Sequence, residues 1–268
     1  MAALKFSAVI ISLNEERNIG RCIESLLPVA DEIIVLDAYS TDRTRDICQA
    51  AEVTFIQQEW LGYSASKNYA NSLATGDFII SIDADEALSP ELSQSILDIK
   101  ANVQNNMAYS MNRLNNYFGK WIKHGDWYPD RKVRIFRKGE GRWEGSIHER
   151  LSFQSNTRVI HLRGDLLHYA TPTITEYVKK SWRYAHLVAR SDFEQRKIKT
   201  WLYHGAVKPV SLFIRSYIIK LGFLDGYEGL MLAGIAAWER HVRYVAFRQL
   251  KRKWNSSSPR KPTEGRDT

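Results

Sequence analysis

Residues 7–37 read SAVIISLNEERNIGRCIESLLPVADEIIVLD, and this stretch decides the fold. The apolar run Ser7–Leu13 predicts a buried strand. In Asn18–Leu27 apolar side chains recur at the three- and four-residue spacing of a helix, which Pro28 then ends. Glu32–Asp37 is a second short apolar run. Strands that are apolar almost throughout, with a helix between them, predict a parallel sheet covered by helices on both faces.

The same alternation of helix and strand continues to residue 100. It predicts a helix from Thr41, a strand at Val53–Gln57, a helix at Ser64–Ala74, a strand at Asp77–Ile82 and a helix at Pro90–Lys100. In such α/β sheets ligands bind beyond the carboxyl ends of the strands. The residues that directly follow each strand are therefore the first candidates for a functional site.

The pattern changes after residue 100. Short strand-like runs at Lys132–Phe136 and Thr157–Leu162, separated by aromatic and basic loops, predict added antiparallel structure. Thr175–Lys199 has the spacing of a long amphipathic helix, and Val207–Trp254 is predicted to be mostly helical. The polar segment Ser256–Thr268 is predicted to be a disordered tail.

Charge is distributed unevenly along the 268 residues, which carry a formal net charge of +8. Residues 1–100 hold 7 basic and 16 acidic side chains, a net of −9, and residues 101–268 hold 31 basic and 14 acidic ones, a net of +17. The acidic part suits a metal site, and the basic part suits an anionic partner such as a nucleic acid, a phosphorylated sugar or a membrane surface. Neither Cys22 nor Cys48 has another Cys or a His at the short spacing of a metal site, and both are predicted to be reduced core thiols.

Three acids follow the predicted strand at Asp77–Ile82, in the run SIDADE at 81–86. Crowding Asp83, Asp85 and Glu86 at one strand end is unfavourable unless a cation offsets the repulsion, and Mg²⁺ or Mn²⁺ prefers carboxylate oxygens. A helix N-terminus also favours acids, so a lone Asp-X-Asp would be weak evidence. Polar residues after the first two strands, Asn14 with Glu15 and Asp37, support a shared crevice.

The segments at 7–26, 32–44 and 67–86 resemble the nucleotide-sugar half of the family-2 inverting glycosyltransferases. RKVRIFRKGEGRWEGSIHERL at 131–151 and YIIKLGFLDGYEG at 217–229 resemble one branch of that family, the lipopolysaccharide-core β-1,4-glucosyltransferases. The resemblance implies an α/β fold of the GT-A type. Its nucleotide-sugar-binding half would be residues 1–100 and its acceptor-side half 101–172, followed by a helical, membrane-associating extension at 173–255 and the tail at 256–268.

The resemblance also implies residue roles. Asn14, Glu15 and Asp37 match positions that hold the nucleoside, with Asp37 accepting a hydrogen bond from the base. Lys67 and Asn68 match a pair close to the nucleotide, and Asp83 matches an acid near the ribose. All six residues lie within the segments at 7–26, 32–44 and 67–86. One departure is the loop after the second strand, where many relatives have glycine. This chain has Asp37-Ala38-Tyr39-Ser40, so Tyr39 is predicted to make the tight turn.

A general base must take the proton from the acceptor hydroxyl as that hydroxyl attacks the anomeric carbon. Glu149 stands where the family places its catalytic acid residue, and Asp126 is the alternative. Glu149 could instead form an ion pair with an arginine, for which the candidates are Arg131, Arg134, Arg150 and Arg163.

Metal dependence follows from the same resemblance. Asp85 matches the ligand that holds Mg²⁺ or Mn²⁺ against the donor diphosphate, and a downstream histidine often completes the metal sphere in this fold class. His168 fits by its order in the chain, and His148 is its competitor.

The partners implied are a UDP-sugar, with UDP-glucose first, and a lipopolysaccharide-core glycolipid accepting the sugar on a heptose. No signal peptide or membrane span is evident in the sequence. Apolar clusters and the basic run Arg248–Lys253 predict a cytoplasmic protein held at the inner face of the inner membrane. Two rivals are a sugar nucleotidyltransferase, which usually carries a glycine-rich loop after the first strand, and a nucleic-acid-binding module. Because no recognisable binding motif is present, no nucleic-acid partner is expected.

Overall fold

A computed structural model describes residues 4–101, 107–145, 149–154, 156–195 and 203–257. Contacts group the chain into two compact units. The first unit comprises Met1–Asn116 and Trp127–Ala170, and the second comprises Tyr117–Asp126 and Thr171–Thr268. The predicted domain limits at residues 100, 172 and 255 stay predictions.

The strands of the described residues are β1 (Phe6–Ser12), β2 (Glu32–Asp37), β3 (Thr54–Gln57), β4 (Phe78–Asp83), β5 (Glu86–Leu88), β6 (Met107–Tyr117), β7 (Lys120–Ile122), β8 (Arg131–Arg137), β9 (Gly141–Glu144), β10 (Arg150–Phe153) and β11 (Arg158–Thr171). The α-helices are α1 (Ile19–Leu26), α2 (Thr44–Ala50), α3 (Tyr63–Leu73), α4 (Pro90–Ala101), α5 (Ile174–Glu194), α6 (Lys208–Phe213) and α7 (Gly226–Ser257). Two π-helical segments, Tyr203–Val207 and Ile214–Ile219, and a 3₁₀ turn at Gly222–Asp225 connect the helices that precede α7.

The main sheet has the order β3-β2-β1-β4-β8-β6-β11-β5. Strands β3, β2, β1 and β4 are mutually parallel, whereas β8 runs antiparallel to β4 and to β6. All seven residues of β1 are buried, as expected for a central strand with helices on both faces. The parallel half and the added antiparallel strands agree with the pattern predicted from the sequence.

Helix α1 shows why the chain folds this way locally. Its apolar residues, at the spacing of one helix face, are all buried in the core: Ile19, Cys22, Ile23 and Leu26. Cys22 and Cys48 are both free and buried, so the prediction of two core thiols is confirmed. Burial raises the pKa of both thiols, that of Cys48 to about 11, with the Asp37 carboxylate adding to the shift at Cys48.

Two element boundaries differ from the predictions for identifiable reasons. The helix predicted from Thr41 begins at Thr44, because the Asp42 carboxylate accepts hydrogen bonds from the Thr44 amide and hydroxyl and shapes a turn first. The strand predicted at Thr157–Leu162 runs on to Thr171. Arg163 and Asp165, which follow the predicted end of the strand, break the apolar pattern by which a strand is recognised.

The second unit is mainly helical, as predicted for residues 207–254. Helices α5 and α7 pack through aromatic pairs, with ring centroids 5.8 Å apart for Trp182–Trp238 and 6.0 Å for Phe193–Phe247. Helix α5 ends at Glu194, and residues 196–199 of its predicted range lie outside the described residues. Helix α7 ends at Ser257, so it includes the first two residues of the segment predicted to be a tail, and residues 258–268 lie outside the described part.

No helix in the described parts of the chain is both long enough and apolar enough to cross a membrane.

Candidate active site

The carboxyl ends of β2, β1 and β4 bring the predicted polar residues together. In the sheet register Ser12 on β1 lies beside Asp37 on β2, and Ile11 on β1 lies beside Asp83 on β4. Asp37 and Asp83 therefore lie at the same edge of the sheet, on the two strands that flank β1 and one residue apart in register. The structure thus places these strand ends at one edge of the sheet, and their convergence on a single crevice stays a prediction.

The loop after β2 is built around the Asp37 carboxylate, which is 0% exposed. Its Oδ1 accepts hydrogen bonds from Ser12 Oγ at 2.9 Å and from Ser40 Oγ at 2.5 Å, and its Oδ2 accepts one from the Ser40 amide at 2.8 Å. Tyr39 has φ +59°, so it makes the tight turn as the missing glycine predicted. A left-handed residue other than glycine is strained, and the hydrogen bonds to Asp37 hold it in place.

Asn14 and Glu15 fasten the end of β1 to the same loop. The Asn14 amide donates to Ser40 Oγ at 2.7 Å, and its side-chain Oδ1 accepts from the Thr41 amide at 2.8 Å. The Glu15 amide donates to Thr44 Oγ1 at 2.8 Å. Asn14, Glu15 and Asp37 therefore lie together and shape one loop. Their contact with a nucleoside stays a prediction.

A network of charges occupies the end of β4. Lys67 Nζ, on α3, lies 2.8 Å from Asp83 Oδ1 and 2.7 Å from Glu149 Oε2. Arg134, on β8, contacts Asp83 Oδ2 at 2.8 Å and Glu86 Oε1 at 2.6 Å. The Lys67 side chain is only 5% exposed and Glu86 is 0% exposed. These ion pairs are hence largely removed from solvent, where charges interact strongly and cannot be left unpaired without cost.

The network fixes the protonation of its members. Desolvation alone would raise the pKa of Asp83, but the Arg134 guanidinium and the Lys67 ammonium outweigh it and hold that pKa well below its ordinary range. Burial would likewise lower the pKa of Arg134, whereas the carboxylates of Glu86 and Asp83 raise it above its usual value. Asp83 is therefore an anion at any neutral pH.

This network corrects one expectation from the sequence. A divalent cation was expected to offset the repulsion among Asp83, Asp85 and Glu86. The structure places protein cations against two of the three acids, Arg134 and Lys67 for Asp83 and Arg134 for Glu86. The three acids of the SIDADE run thus have different partners. Protein cations contact Asp83 and Glu86, and the Asp85 carboxylate faces His168.

Asp85 and His168 form a separate pair. His168 Nε2 lies 3.2 Å from Asp85 Oδ2, and His168 Nδ1 lies 2.6 Å from Asn115 Oδ1. Asn115 uses its Nδ2 to donate to the Trp127 carbonyl, so its Oδ1 is the acceptor for the imidazole N–H at Nδ1. In the neutral imidazole this hydrogen bond leaves the Nε2 lone pair facing Asp85, which is the usual arrangement of a metal-ligating histidine.

The pair fits a divalent cation geometrically. Two ligands at right angles on a cation with bonds of about 2.1 Å lie about 3 Å apart, close to the observed separation of Nε2 and Oδ2. Within the described ranges no group of three or more His, Cys, Asp or Glu side chains could hold a metal ion. Water and substrate oxygens would have to complete the coordination, as is usual for Mg²⁺ bound with phosphates. His148, the competing ligand, lies outside the described residues.

The two candidate bases lie in different units. Glu149 lies in the first unit and is paired with Lys67, which is not one of the arginines suggested as its partner. Asp126 lies in the second unit, where Arg215 Nη2 at 2.8 Å and Lys220 Nζ at 2.7 Å contact its carboxylate. Burial would raise the pKa of Asp126, but hydrogen bonds from these two cations lower it. A carboxylate held by two cations is a weak base.

The sequence model of Glycosyl transferase family 2 matches residues 7–222. The chain belongs to this family. An uncharacterised glycosyltransferase of Rickettsia typhi is 31% identical over 259 residues, 93% of this chain and 88% of that protein. The lipopolysaccharide core biosynthesis glycosyltransferase LpsC of Rhizobium meliloti is 29% identical over 256 residues, 90% of this chain and 94% of that protein.

Solved structures give a more partial match. Glucosyl-3-phosphoglycerate synthase of Mycobacterium tuberculosis, crystallised with Mn²⁺ and UDP-glucose, aligns with a TM-score of 0.36 and 23% identity. The alignment covers 43% of this chain and 45% of that one, so this chain spans less than half of that protein. The family match and the mixed, mostly parallel sheet confirm the GT-A fold class predicted for this family-2 glycosyltransferase.

Three features of the family-2 site were not foreseen from the sequence. Asn68 was expected near the nucleotide, and that contact stays a prediction. Its side-chain amide makes two hydrogen bonds to the Trp143 backbone, donating to the carbonyl at 2.8 Å and accepting from the N–H at 2.9 Å. Trp143 stands beneath Lys67, whose Nζ is 4.7 Å from the ring centroid. Arg134 was considered only as a partner of Glu149. Its one signal was a charge in the middle of the apolar run of β8.

We expect Arg134→Met to destabilise the protein by about 3–5 kcal/mol, because it leaves the buried Glu86 carboxylate without its close cation. Urea unfolding measures the change, and Arg131→Met is the matched control on the same strand. Arg131 is exposed, so its loss should change stability by no more than about 0.5 kcal/mol. The double variant Glu86→Gln/Arg134→Met should recover part of the loss. Equal effects of the two single variants would contradict the buried network.

Proposed function

We propose that this family-2 glycosyltransferase transfers a hexose, with glucose from UDP-glucose as the first candidate, to a lipopolysaccharide inner-core acceptor on a heptose, with inversion at the anomeric carbon. The observation that carries the proposal is the meeting of three features at one edge of the sheet. These are the loop closed around Asp37, the Asp85–His168 pair, and Glu149 linked to Asp83 through Lys67. The similarity to LpsC supports the choice of acceptor class.

The donor side is assigned to the acidic strand ends. Asn14, Glu15 and Asp37 would hold the nucleoside, and Asp83 would approach the ribose. Asp85 and His168 would hold Mg²⁺ or Mn²⁺, which when bound offsets the charge that develops on the leaving diphosphate. Lys67 lies between Asp83 on this side and Glu149, so one buried cation contacts both of these carboxylates.

The acceptor side is assigned to Glu149. One of its oxygens, Oε2, is engaged by Lys67 at 2.7 Å, and its Oε1 has no hydrogen-bond partner among the described residues. Oε1 is therefore the atom that would take the proton from the acceptor hydroxyl as that hydroxyl attacks the anomeric carbon. A single displacement of this kind turns an α-linked donor into a β-linked product.

Membrane contact is assigned to the second unit, in an apolar segment that we define as residues 207–227. Its exposed side chains include Ile218 at 53%, Ile219 at 70% and Tyr227 at 61%. Exposed apolar side chains on this scale are typical of interaction surfaces, and the cations Arg215 and Lys220 within the same segment would favour an anionic lipid surface. The enzyme would thus meet a lipid-linked acceptor at the cytoplasmic face of the inner membrane.

The first test is a donor screen that measures release of the nucleotide from UDP- and GDP-sugars with a lipopolysaccharide-core acceptor. UDP-glucose should be the best donor, and EDTA should abolish turnover until Mg²⁺ or Mn²⁺ is added back. Asp85→Asn should lower turnover strongly, while Asp98→Asn, an acid on α4 away from the strand ends, should not. Full activity of Asp85→Asn in EDTA would remove the metal from the proposal.

The second test concerns the base. Glu149→Gln keeps the shape of the side chain and removes its basicity, so turnover should fall by about 10²- to 10⁴-fold, while UDP binding measured by calorimetry stays close to that of the wild type. Glu144→Gln, an exposed acid on β9 of the same hairpin, is the control and should retain activity. Wild-type turnover of Glu149→Gln together with loss in Asp126→Asn would make Asp126 the base.

The third test is flotation with vesicles. The protein should float with vesicles that contain phosphatidylglycerol at low salt and less with purely zwitterionic ones. Ile218→Ser/Ile219→Ser should reduce flotation, because it removes apolar area that would enter the lipid interface. Val159→Ser/Ile160→Ser, which changes an exposed apolar pair on β11 in the first unit, should not. Equal flotation of both double variants would show that the segment 207–227 is not the contact.

A further inference from the structure

A cavity of about 500 Å³ opens beside Glu149 in the first unit. Its walls come from α3, the end of β4, β6, the beginning of β8 and the hairpin of β9 and β10. The lining residues are Lys67, Asp83, Arg113, Arg131, Lys132, Val133, Arg134, Trp143, Glu149, Arg150 and Leu151. Six of these side chains are cationic and two are acidic, so the cavity is strongly positive.

The two acids do not neutralise the open side of this cavity. Asp83 and Glu149 are already paired with Lys67 and Arg134. Arg113 is bound to Asp130, which also contacts Lys132 at 3.0 Å. Those pairs satisfy the cations of the inner wall.

Arg131 and Arg150 form the unsatisfied part of the lining. Both are exposed, and within the ranges that the structure describes neither guanidinium group makes a hydrogen bond or an ion pair. Two guanidinium groups on one cavity repel one another unless an anion lies between them. The guanidinium group binds phosphate through two parallel N–H donors, which makes arginine the preferred residue for this task.

The cavity shares Lys67 and Asp83 with the side assigned to the nucleotide, but its exposed cations lie on the other flank of β4. Strand β4 lies between β1 and β8, so Asp37 and Asn14 follow strands on one flank of Asp83, and Arg131 and Lys132 begin the strand on the other. Neither Asp37, Asn14, Asp85 nor His168 lines the cavity. The wall of the cavity instead contains Glu149, the residue assigned to the acceptor hydroxyl.

We propose that Arg131 and Arg150 bind a phosphoryl group carried by the acceptor and so place its hydroxyl at Glu149. The identity of the acceptor rests on the proposed glycosyl transfer. The anion site itself rests on the cavity and its charges. The enzyme would accordingly prefer an acceptor that is already phosphorylated near the sugar it modifies. A kinase-type reaction would have to precede this transfer.

The test uses inorganic phosphate and glucose 6-phosphate as probes on the full-length protein at constant ionic strength. Binding is followed by calorimetry and by tryptophan fluorescence, since Trp143 lines the cavity. Both probes should bind with a saturable isotherm, in the presence and in the absence of saturating UDP. Arg131→Gln and Arg150→Gln should each weaken binding by about 10- to 100-fold, the usual effect of losing a charged hydrogen bond.

Arg142→Gln is the matched control, because Arg142 is an exposed arginine on β9 that does not line the cavity. Its affinity for phosphate should equal that of the wild type, and thermal unfolding should show that all three variants are folded. Equal weakening in Arg142→Gln, or the lack of a saturable isotherm, would overturn the site. Competition between phosphate and UDP would assign the cavity to the donor diphosphate and overturn the acceptor role.

Glucuronate separates a phosphoryl site from a general carboxylate site. It should bind at least tenfold more weakly than glucose 6-phosphate, and equal affinity would overturn the phosphoryl assignment. None of these measurements depends on turnover. Saturable binding that needs Arg131 and Arg150, with no transfer from any UDP-sugar, would therefore reject the proposed function while keeping the anion site.

Discussion

The Arg134 guanidinium, held between the carboxylates of Glu86 and Asp83, is the contact on which this end of the sheet depends. Glu86 is fully buried, and a buried carboxylate without a cation is very unfavourable. The partner comes from β8, which pairs antiparallel with β4, so the ion pair joins the parallel half of the sheet to the added antiparallel half. Such a pair contributes little net stability relative to apolar residues of the same shape, yet removing one partner is costly. The pair therefore links β8 to the acids that follow β4 without adding much to the net stability of the fold.

Lys67 continues this arrangement toward the surface. It reaches from α3 to Asp83 and Glu149, and it lies over the ring of Trp143. The neighbouring Asn68 holds the Trp143 backbone with two hydrogen bonds, so two successive residues of α3 attach β9 to that helix. With Arg134 and Lys67 engaging Asp83 and Glu86, Asp85 remains to face His168. The division of the three acids thus follows from where two cations are placed.

How much of this could be predicted from the sequence depends on the range of each interaction. Most strands and helices of residues 6–101 follow from apolar spacing, which is a local property, but the three-residue strand β5 was not predicted. The turn at Tyr39 follows from the absence of glycine at one position. The partner of Glu86 could not be predicted in this way, because Arg134 is 48 positions away and only the pairing of β4 with β8 brings it near. The same holds for Glu149, whose partner Lys67 is 82 positions distant. The length of β11 was missed because Arg163 and Asp165 break its apolar pattern.

The charges at the end of β4 also bear on how departure of the leaving group is coupled to removal of the proton from the attacking hydroxyl. In a single displacement negative charge grows on the leaving group while a proton leaves the attacking hydroxyl. Lys67 is within 3 Å of an oxygen of Asp83 and of an oxygen of Glu149, so any change in charge or position at one carboxylate alters the field at the other. With the Lys67 side chain only 5% exposed, water screens this coupling poorly. For the base proposed at Glu149, a change of charge on the donor side would therefore be felt through Lys67.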